Sequence, residues 1–530
     1  MRWTIKPKPD SSKIETLQHE LQVDPIVATL LLERGIETFE DAKKFFRPSL
    51  NDLHDPFLMK DMDKAVARIE KAIENQENIL VYGDYDVDGT TSVALMASYL
   101  KTKYELVLTY IPNRYDEGYG ISYKGINFAL ENDFTLIIAL DCGVKAVDKV
   151  AYAKELGIDF IICDHHRPGN QLPDAVAVLD PKREDCNYPY KELCGCGVGF
   201  KLMQALAFKE GKTVEDLVEY LDLVATAIGA DIVPITGENR VLAYFGLQVI
   251  NSSPRPGIKA ILDQVNKTEL TITDVVFIVA PRINAAGRMK HGNYAVTLLM
   301  ETEEDKAHQY AMEIDKYNAD RREEDKRITE EALIQIEHNG EQKNITTVVY
   351  QADWHKGVIG IDIYNVIEAC SEYVEQFGGH KYAAGLTLKE ENYEAFKQAF
   401  EDEVSKTIDR SLLIPEIKID DKIDLKDITP KFYRIIKQFA PFGPENMTPV
   451  FMTENLNDTG YGKCVGEDKT HLRITVTQPK ANNIVAIGFG MGEKEDIISN
   501  KKKFKAVYSI DENEWQGNIS LQLKLRDIKA

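Results

Sequence analysis

The chain has 530 residues, with 86 Asp and Glu against 64 Lys and Arg, a formal net charge of −22. That length implies three or four domains, each with its own core. No run of 18 apolar residues occurs and the start, Met1-Arg2-Trp3-Thr4-Ile5-Lys6-Pro7, is not of signal-peptide type, so no membrane partner and a cytoplasmic location are expected. The seven cysteines are scattered, which suits reduced thiols better than a disulfide framework. Cys186, Cys194 and Cys196 match no common zinc spacing and read as core and loop residues.

In chain order, residues 1–60 read as a short helical region. The stretch 63–75 reads as an amphipathic helix, with Ala65, Ile69, Ala72 and Ile73 at helical spacing. From 78 to about 181, strands alternate with helices, the signature of a parallel sheet. The apolar run Ile79-Leu80-Val81-Tyr82 leads into Asp84, Asp86 and Asp88, followed by Gly89-Thr90-Thr91. Three carboxylates in five residues repel one another unless a cation intervenes. In an extended turn their alternating side chains converge on one side, where hard oxygen ligands suit Mg²⁺ or Mn²⁺. Alone, such a run would read as a solvated turn.

The run is not alone. A strand ending at Leu140 delivers Asp141-Cys142-Gly143, and one ending at Cys163 delivers Asp164-His165-His166; a helix end at 225–230 delivers Asp231. In open α/β sheets ligands bind beyond the carboxyl ends of the strands, so these residues point into one crevice. That many carboxylates fit two adjacent divalent ions, an arrangement that clamps both sides of a phosphoryl displacement. Residues 196–300 read as mainly helical and carry the Arg282–Arg288 loop. The stretch 304–337 lacks proline and glycine and reads as one solvated helix. A small α/β region at 345–410 follows, and then short β-like runs at 413–530 that suit a small barrel.

The ordered motifs Asp-x-Asp, Asp-Cys-Gly, Asp-His-His and Ala230-Asp231-Ile232-Val233-Pro234 resemble the DHH phosphoesterase superfamily. Gly83–Gly89, Pro281-Arg282-Ile283-Asn284-Ala285-Ala286-Gly287-Arg288, Trp354-His355-Lys356-Gly357, Phe377-Gly378-Gly379-His380 and Ala440–Asn446 are similar to the RecJ single-strand-specific 5′→3′ exonucleases. The resemblance spans nearly the whole chain. It implies an α/β fold divided into an N-terminal helical region (1–60), a parallel-sheet DHH phosphoesterase domain (61–302) and a connecting helix (303–340). A DHH-associated substrate-binding domain (341–411) and an OB-like nucleic-acid-binding domain (412–530) would follow.

It further implies a two-metal phosphodiesterase degrading single-stranded DNA in repair and recombination, with Mn²⁺ or Mg²⁺ as cofactor. Single-stranded DNA, a single-strand-binding protein and a helicase would be its partners. Asp86 and Asp88 would each hold one ion, Asp141 would bridge them, and His165 and Asp231 would complete the shells. The superfamily often has a histidine where this chain has Tyr82, so Asp84 is expected to take that part. His166 would contact the scissile phosphate or assist proton transfer, with Asp164 orienting a histidine. Arg282, Asn284, Arg288, His355, Lys356, Gly378, Gly379 and His380 would bind substrate. Lys290, His291 and Lys381 join the candidates for a local basic groove, needed because a net negative field slows approach of a polyanion.

Three other readings share some motifs. One is a DHH phosphoesterase acting on short oligonucleotides or small nucleotides, and another is an inorganic pyrophosphatase. The third is an inactive scaffold binding nucleic acid or replication proteins. The long charged helix and the 413–530 region argue against the pyrophosphatase, and the intact acidic cluster argues against the scaffold. One irregularity stands out: near Ile361–Asp362 a segment of a few dozen residues, with a Ser-x-Arg-Ser element, is missing relative to the family pattern. An incomplete sheet conflicts with a foldable design, so an omitted segment is expected there, visible as a Cα separation well above ~3.8 Å.

Overall fold

The computed structural model describes all residues except 266, 342–343, 350, 352–353, 356–369, 375, 381–382, 409–412, 500–502 and 516. Two compact units form, Met1–Ser49 with Asp409–Ala530, and Leu50–Ile408. Lys356, Lys381 and the Ile361–Asp362 junction lie outside the described residues, as does the side chain of His380.

The second unit is built on a five-stranded sheet in the order Val107–Tyr110, Asn78–Gly83, Phe134–Leu140, Asp159–Cys163, Ala177–Leu179. Every pairing is parallel. Helices Val87–Lys101, Tyr123–Glu131 and Val147–Glu155 make the crossovers that parallel pairing requires. Alternation then sorts each strand between two cores: Ile79, Val81, Leu136 and Ile138 enter one, while Leu80, Tyr82, Ile137 and Ala139 enter the other. Both faces are covered, which is why these strands read as continuous apolar runs rather than alternating ones.

Register fixes the edge that matters. Gly83 pairs with Leu140, Leu140 with Cys163, and Cys163 with Leu179. The next residue in each strand is an aspartate: Asp84, Asp141, Asp164 and Asp180.

A helical half follows, with Gly195–Lys209, Leu221–Ala230 and Gly237–Ser252 among its helices. Its interior includes a fully paired charge set. The Lys201 ammonium donates to Glu238 Oε1 at 3.0 Å and to the His54 carbonyl, and the Tyr188 hydroxyl donates to Glu238 Oε2. The segment expected as a loop around Arg282–Arg288 is instead a helix, Ala280–Met289, entered through a π-helical turn at Val275–Val279. Pro281 follows directly on that π-helical turn, and Ala285 and Ala286 favour the helix thereafter. The charged stretch forms a single helix, Glu304–Asn339, closed by Gly340 in the left-handed conformation.

Beyond it, Gln376–His380 and Ala383–Thr387 pair antiparallel, and helix Tyr393–Thr407 packs Phe396, Phe400 and Val404 into a small core with Cys370. Gly378 and Gly379, expected in a phosphate-approaching loop, lie within the first of these strands.

The first unit holds a seven-stranded sheet. The second contact of Phe451–Asp458, to His471–Thr477, closes five of its strands into a barrel. Strand Arg2–Ile5 pairs in parallel with Glu416–Ile419, and Phe45, Phe46 and Phe439 meet edge to face at 5.3–5.4 Å. Near them, Glu33 lies beside Lys6 and Asp420. Burial, partly offset by Lys6 and reinforced by Asp420, pushes the Glu33 carboxyl up to about 7. The folded state therefore holds this proton more tightly than the unfolded chain does. Glu33's share of stability is intact at acid pH and falls as pH rises through the folded value. Glu33→Gln should raise Tm relative to wild type more at about pH 8 than at about pH 5; differential scanning fluorimetry at the two pH values checks this.

Candidate metal centre

The sheet edge and the helical half converge on His165. Its Nε2 lies 3.1 Å from Asp141 Oδ1, 3.7 Å from Asp88 Oδ2 and 3.7 Å from Asp231 Oδ2. Two overlapping sets of ligand atoms lie within 4.8 Å of one another: Asp141, His165 and His166, and Asp88, His165 and Asp231. Each arrives by a different local device. Asp141 sits one residue past its strand at φ 59°, in the left-handed region that aspartate and asparagine tolerate best among side-chain-bearing residues. Asp88 lies in the first turn of helix Val87–Lys101, and Asp231 caps the end of helix Leu221–Ala230. Gly195 permits the approach, since a Cβ there would lie 2.6 Å from Asp141.

The electrostatics suit a cation. Burial, followed by the charges of Asp88, Asp86 and Asp231, pushes Asp141 well above the usual carboxylate range. Burial and the neighbouring aspartates raise Asp231 as well, and push Asp88 up to about 7. Burial and the charge of His166 push His165 down, which keeps its imidazole neutral and able to donate a lone pair. Asp141 Oδ1 and His165 Nε2 are buried, face one another and have no hydrogen-bond partner. A divalent cation would satisfy both atoms, and an oxygen-rich shell with one imidazole fits Mn²⁺ or Mg²⁺.

Asp164 is placed differently. Its Oδ1 accepts from the backbone N–H of His165 and His166 and contacts His166 Nδ1 at 2.8 Å, while Oδ2 accepts from Val144 N. Burial opposes its ionisation, but the His166 charge and these bonds hold it well below the usual range. Burial also opposes a charge on His166, yet Asp164 lifts it to about 9. Asp164 thus fixes the orientation of the His166 ring beside the centre. Asp180, which the sequence reading passed over, is fully buried at the fourth strand end, with Oδ1 on Lys182 N and Oδ2 without a partner.

Two expected ligands fall outside both sets. Asp86 is half-buried and caps helix Val87–Lys101 through Gly89 N at 2.9 Å, and its charge acts on Asp88, Asp141 and Asp231. Asp84 is fully buried and both its oxygens are occupied, Oδ1 by Tyr85 N and Oδ2 by Gly120 N. Asp84, expected to take the part of the superfamily histidine, belongs to neither set and turns its Oδ2 to Gly120 N. The register aims its side chain at a neighbouring loop rather than at His165.

A basic cluster adjoins the centre. Burial lowers Arg288, and the nearby charges of Arg114 and Arg321 lower it further. Arg114 lies 4.2 Å above the Tyr85 ring, and its Nε and that of Arg321 are buried without hydrogen-bond partners. Three guanidinium groups drawn together beside aspartates offer the planar donors that suit phosphate oxygens. Asn284 Oδ1 is likewise buried without a hydrogen-bond partner, whereas Arg282 is engaged by Ile278 O and Asp315. The His355 ring stands 6.0 Å from that of Tyr115, and Tyr119 lies edge-on to Tyr85 and His166. Arg114, Tyr115 and Tyr119 were missed in the sequence, although an Arg-bearing loop after strand Val107–Tyr110 was a readable signal. Arg321, in the middle of a charged helix, had none.

A parallel sheet whose strand ends gather aspartates and a histidine, completed by an aspartate from a helical half, defines a DHH-type metallophosphoesterase domain. Sequence models agree: the DHH family N-terminal domain matches 78–228, the DHHA1 domain 323–406 and the RecJ OB domain 419–527. The chain is 35% identical to the single-stranded-DNA-specific exonuclease RecJ of Bacillus subtilis, over 99% of this chain and 70% of that protein. It is 30% identical to the protein of the same name from Escherichia coli, over 97% of each. The fold superposes on the crystal structure of Thermus thermophilus RecJ in complex with Mn²⁺ with a TM-score of 0.85, at 24% identity, over 100% of this chain and 79% of that one. The chain belongs to the RecJ family. The Bacillus alignment runs over 566 positions against 530 residues here, so it includes positions at which this chain has no residue.

Ion binding should be visible without catalysis. Mn²⁺ at about 100 times its Kd should stabilise the folded protein by about 2.7 kcal/mol per site, read as a rise in Tm reversed by EDTA. Asp141→Asn, which suits the left-handed backbone, should abolish most of that rise while the metal-free Tm stays at or above wild type.

Proposed function

We propose that this protein is a metal-dependent exonuclease that hydrolyses phosphodiester bonds of single-stranded DNA, in the 5′→3′ direction, during repair and recombination. The convergence of Asp88, Asp141, Asp231 and His165 at one sheet edge, beside three arginines, carries the reading. Family membership supports it, since the relatives are named single-stranded-DNA-specific exonucleases. Polarity and cellular role rest on that kinship alone.

Asp86, Asp88, Asp141, His165 and Asp231 are the residues proposed to hold Mn²⁺ or Mg²⁺, in two positions. Ions bound there supply Lewis-acid charge at the phosphoryl centre and make water more acidic. The protein's own groups do the rest. Arg114, Arg288 and Arg321 neutralise and orient phosphate oxygens. Asn284 offers a further polar contact. His166 holds a proton on Nδ1 against Asp164, leaving its other edge for the scissile phosphate. Tyr119 and Tyr115 present half-exposed rings on which bases can stack. His355, Lys356, Gly378, Gly379 and His380 remain proposed substrate contacts from the second half of the unit. A single-strand-binding protein and a helicase are the proposed protein partners, in the cytoplasm. Among the described residues no helix is long and apolar enough to cross a membrane.

The decisive assay uses the same oligonucleotide labelled at the 5′ or the 3′ end, single-stranded or in a blunt duplex, with Mn²⁺. Mononucleotide release from the 5′ label on single strands alone is expected, and Asp141→Asn should lower kcat by about 10³-fold. Hydrolysis confined to dinucleotides would favour the short-oligonucleotide reading. Tight single-strand binding without hydrolysis would favour the scaffold.

A further inference from the structure

The loop 113–122 carries Arg114, Tyr115 and Tyr119 to the edge of the centre, and the end of strand Asn78–Gly83 grips it. The Tyr82 hydroxyl donates to Gly120 O at 2.9 Å and accepts from Ser122 N at 3.2 Å. Asp84 Oδ2 accepts from Gly120 N at 2.8 Å, while its Oδ1 is held by Tyr85 N at 2.6 Å. Gly120 itself stands at φ 79°, a conformation natural to glycine, so both its N–H and its C=O face the strand. Tyr82 and Asp84 are 1% and 0% exposed. Glu117 ties the loop to itself: Oε1 accepts from Asn113 N, and Oε2 accepts from the Tyr110 and Ser122 hydroxyls. On the far side the Tyr115 hydroxyl donates to the carbonyl of Arg288, joining the loop to the basic cluster.

We infer that Asp84 and Tyr82 are positioning residues, a two-point clasp on Gly120 that holds Arg114 and Tyr119 in the substrate-binding geometry, and that Asp84 is not a metal ligand. The first acidic residue of the Asp-x-Asp-x-Asp run thus has a different task from the two that follow. A carboxylate suits it because both donors are backbone N–H groups; an amide would turn an NH₂ towards one of them. The aromatic at 82 is part of the same device: its hydroxyl serves the carbonyl of the residue whose N–H Asp84 takes. The inference rests on the proposed function only for what the loop binds; the clasp itself is independent of it.

The test compares wild type with Asp84→Asn, Tyr82→Phe and Glu117→Gln, the last two guarding against a folding failure of the first. Mn²⁺ stoichiometry from calorimetry should stay at the wild-type value in all three, while Asp141→Asn loses binding. Hydrogen exchange of peptides covering 113–122 should accelerate about tenfold or more, with strands Phe134–Leu140 and Asp159–Cys163 unchanged. Affinity for a single-stranded oligonucleotide should fall about tenfold, appearing in KM rather than kcat. Because Asp84 acts through the loop, adding Asp84→Asn to an Arg114→Ala, Tyr119→Ala background should weaken binding no further. Loss of an ion in Asp84→Asn, unaltered exchange at 113–122, or a further full loss of affinity in that background would each overturn the inference. If wild type binds no single strands, the functional reading falls, and the ion count and exchange rates still decide the role of Asp84.

Discussion

Buried like charges at one sheet edge set the terms for the rest of the catalytic unit. Two carboxylates about 4 Å apart repel by about 4 kcal/mol at an effective dielectric near 20, and parallel register places four aspartates on consecutive strand ends. The fold disposes of part of this charge with its own donors. Asp164 is neutralised by His166 and three backbone N–H groups. Asp84 takes two, and Asp88 takes the N–H groups of Gly195 and Cys196 at the start of a helix. Asp141 Oδ1 and His165 Nε2 are left unserved. The division separates residues that build the wall from those that wait for a cation.

A basic cluster drawn from three separate elements of the unit answers the same charge from outside. Arg288 comes from helix Ala280–Met289, Arg114 from a loop after an edge strand, and Arg321 from a long solvated helix. Their mutual repulsion is tolerable only because aspartates lie close by, and an incoming phosphate would relieve both imbalances. A net charge of −22 is therefore compatible with binding a polyanion, since the basic groups need to be dense only where the strand is held.

Much of this was legible before folding was considered. Continuous apolar runs marked strands covered on both faces, and an aspartate straight after each run marked the ligand edge. The absence of proline and glycine from 304 to 337 marked the long helix. Less visible were features that join residues far apart. Nothing in Arg2–Ile5 indicates a parallel partner more than 400 residues away. Asp180 was overlooked because Ala177–Leu179 is too short to stand out as a strand. The Arg282–Arg288 segment, expected as a loop, contains Gly287 and follows Pro281, and both are tolerated within the helix.

The sequence by itself determined the chemistry available: which side chains carry oxygen and imidazole donors, their order along the chain, and the strand-helix alternation that delivers them to one edge. Tertiary structure decided which of those side chains face one another. Asp84, Asp86 and Asp88 are equivalent as letters, yet one clasps a loop, one caps a helix, and one joins His165 and Asp231. The physical reason is that an aspartate's role depends on which donors lie within about 3 Å of its oxygens. For Asp86 that donor is Gly89, three residues on; for Asp84 and Asp88 the donors Gly120, Gly195 and Cys196 are brought near only when the sheet, its loops and the helical half have packed.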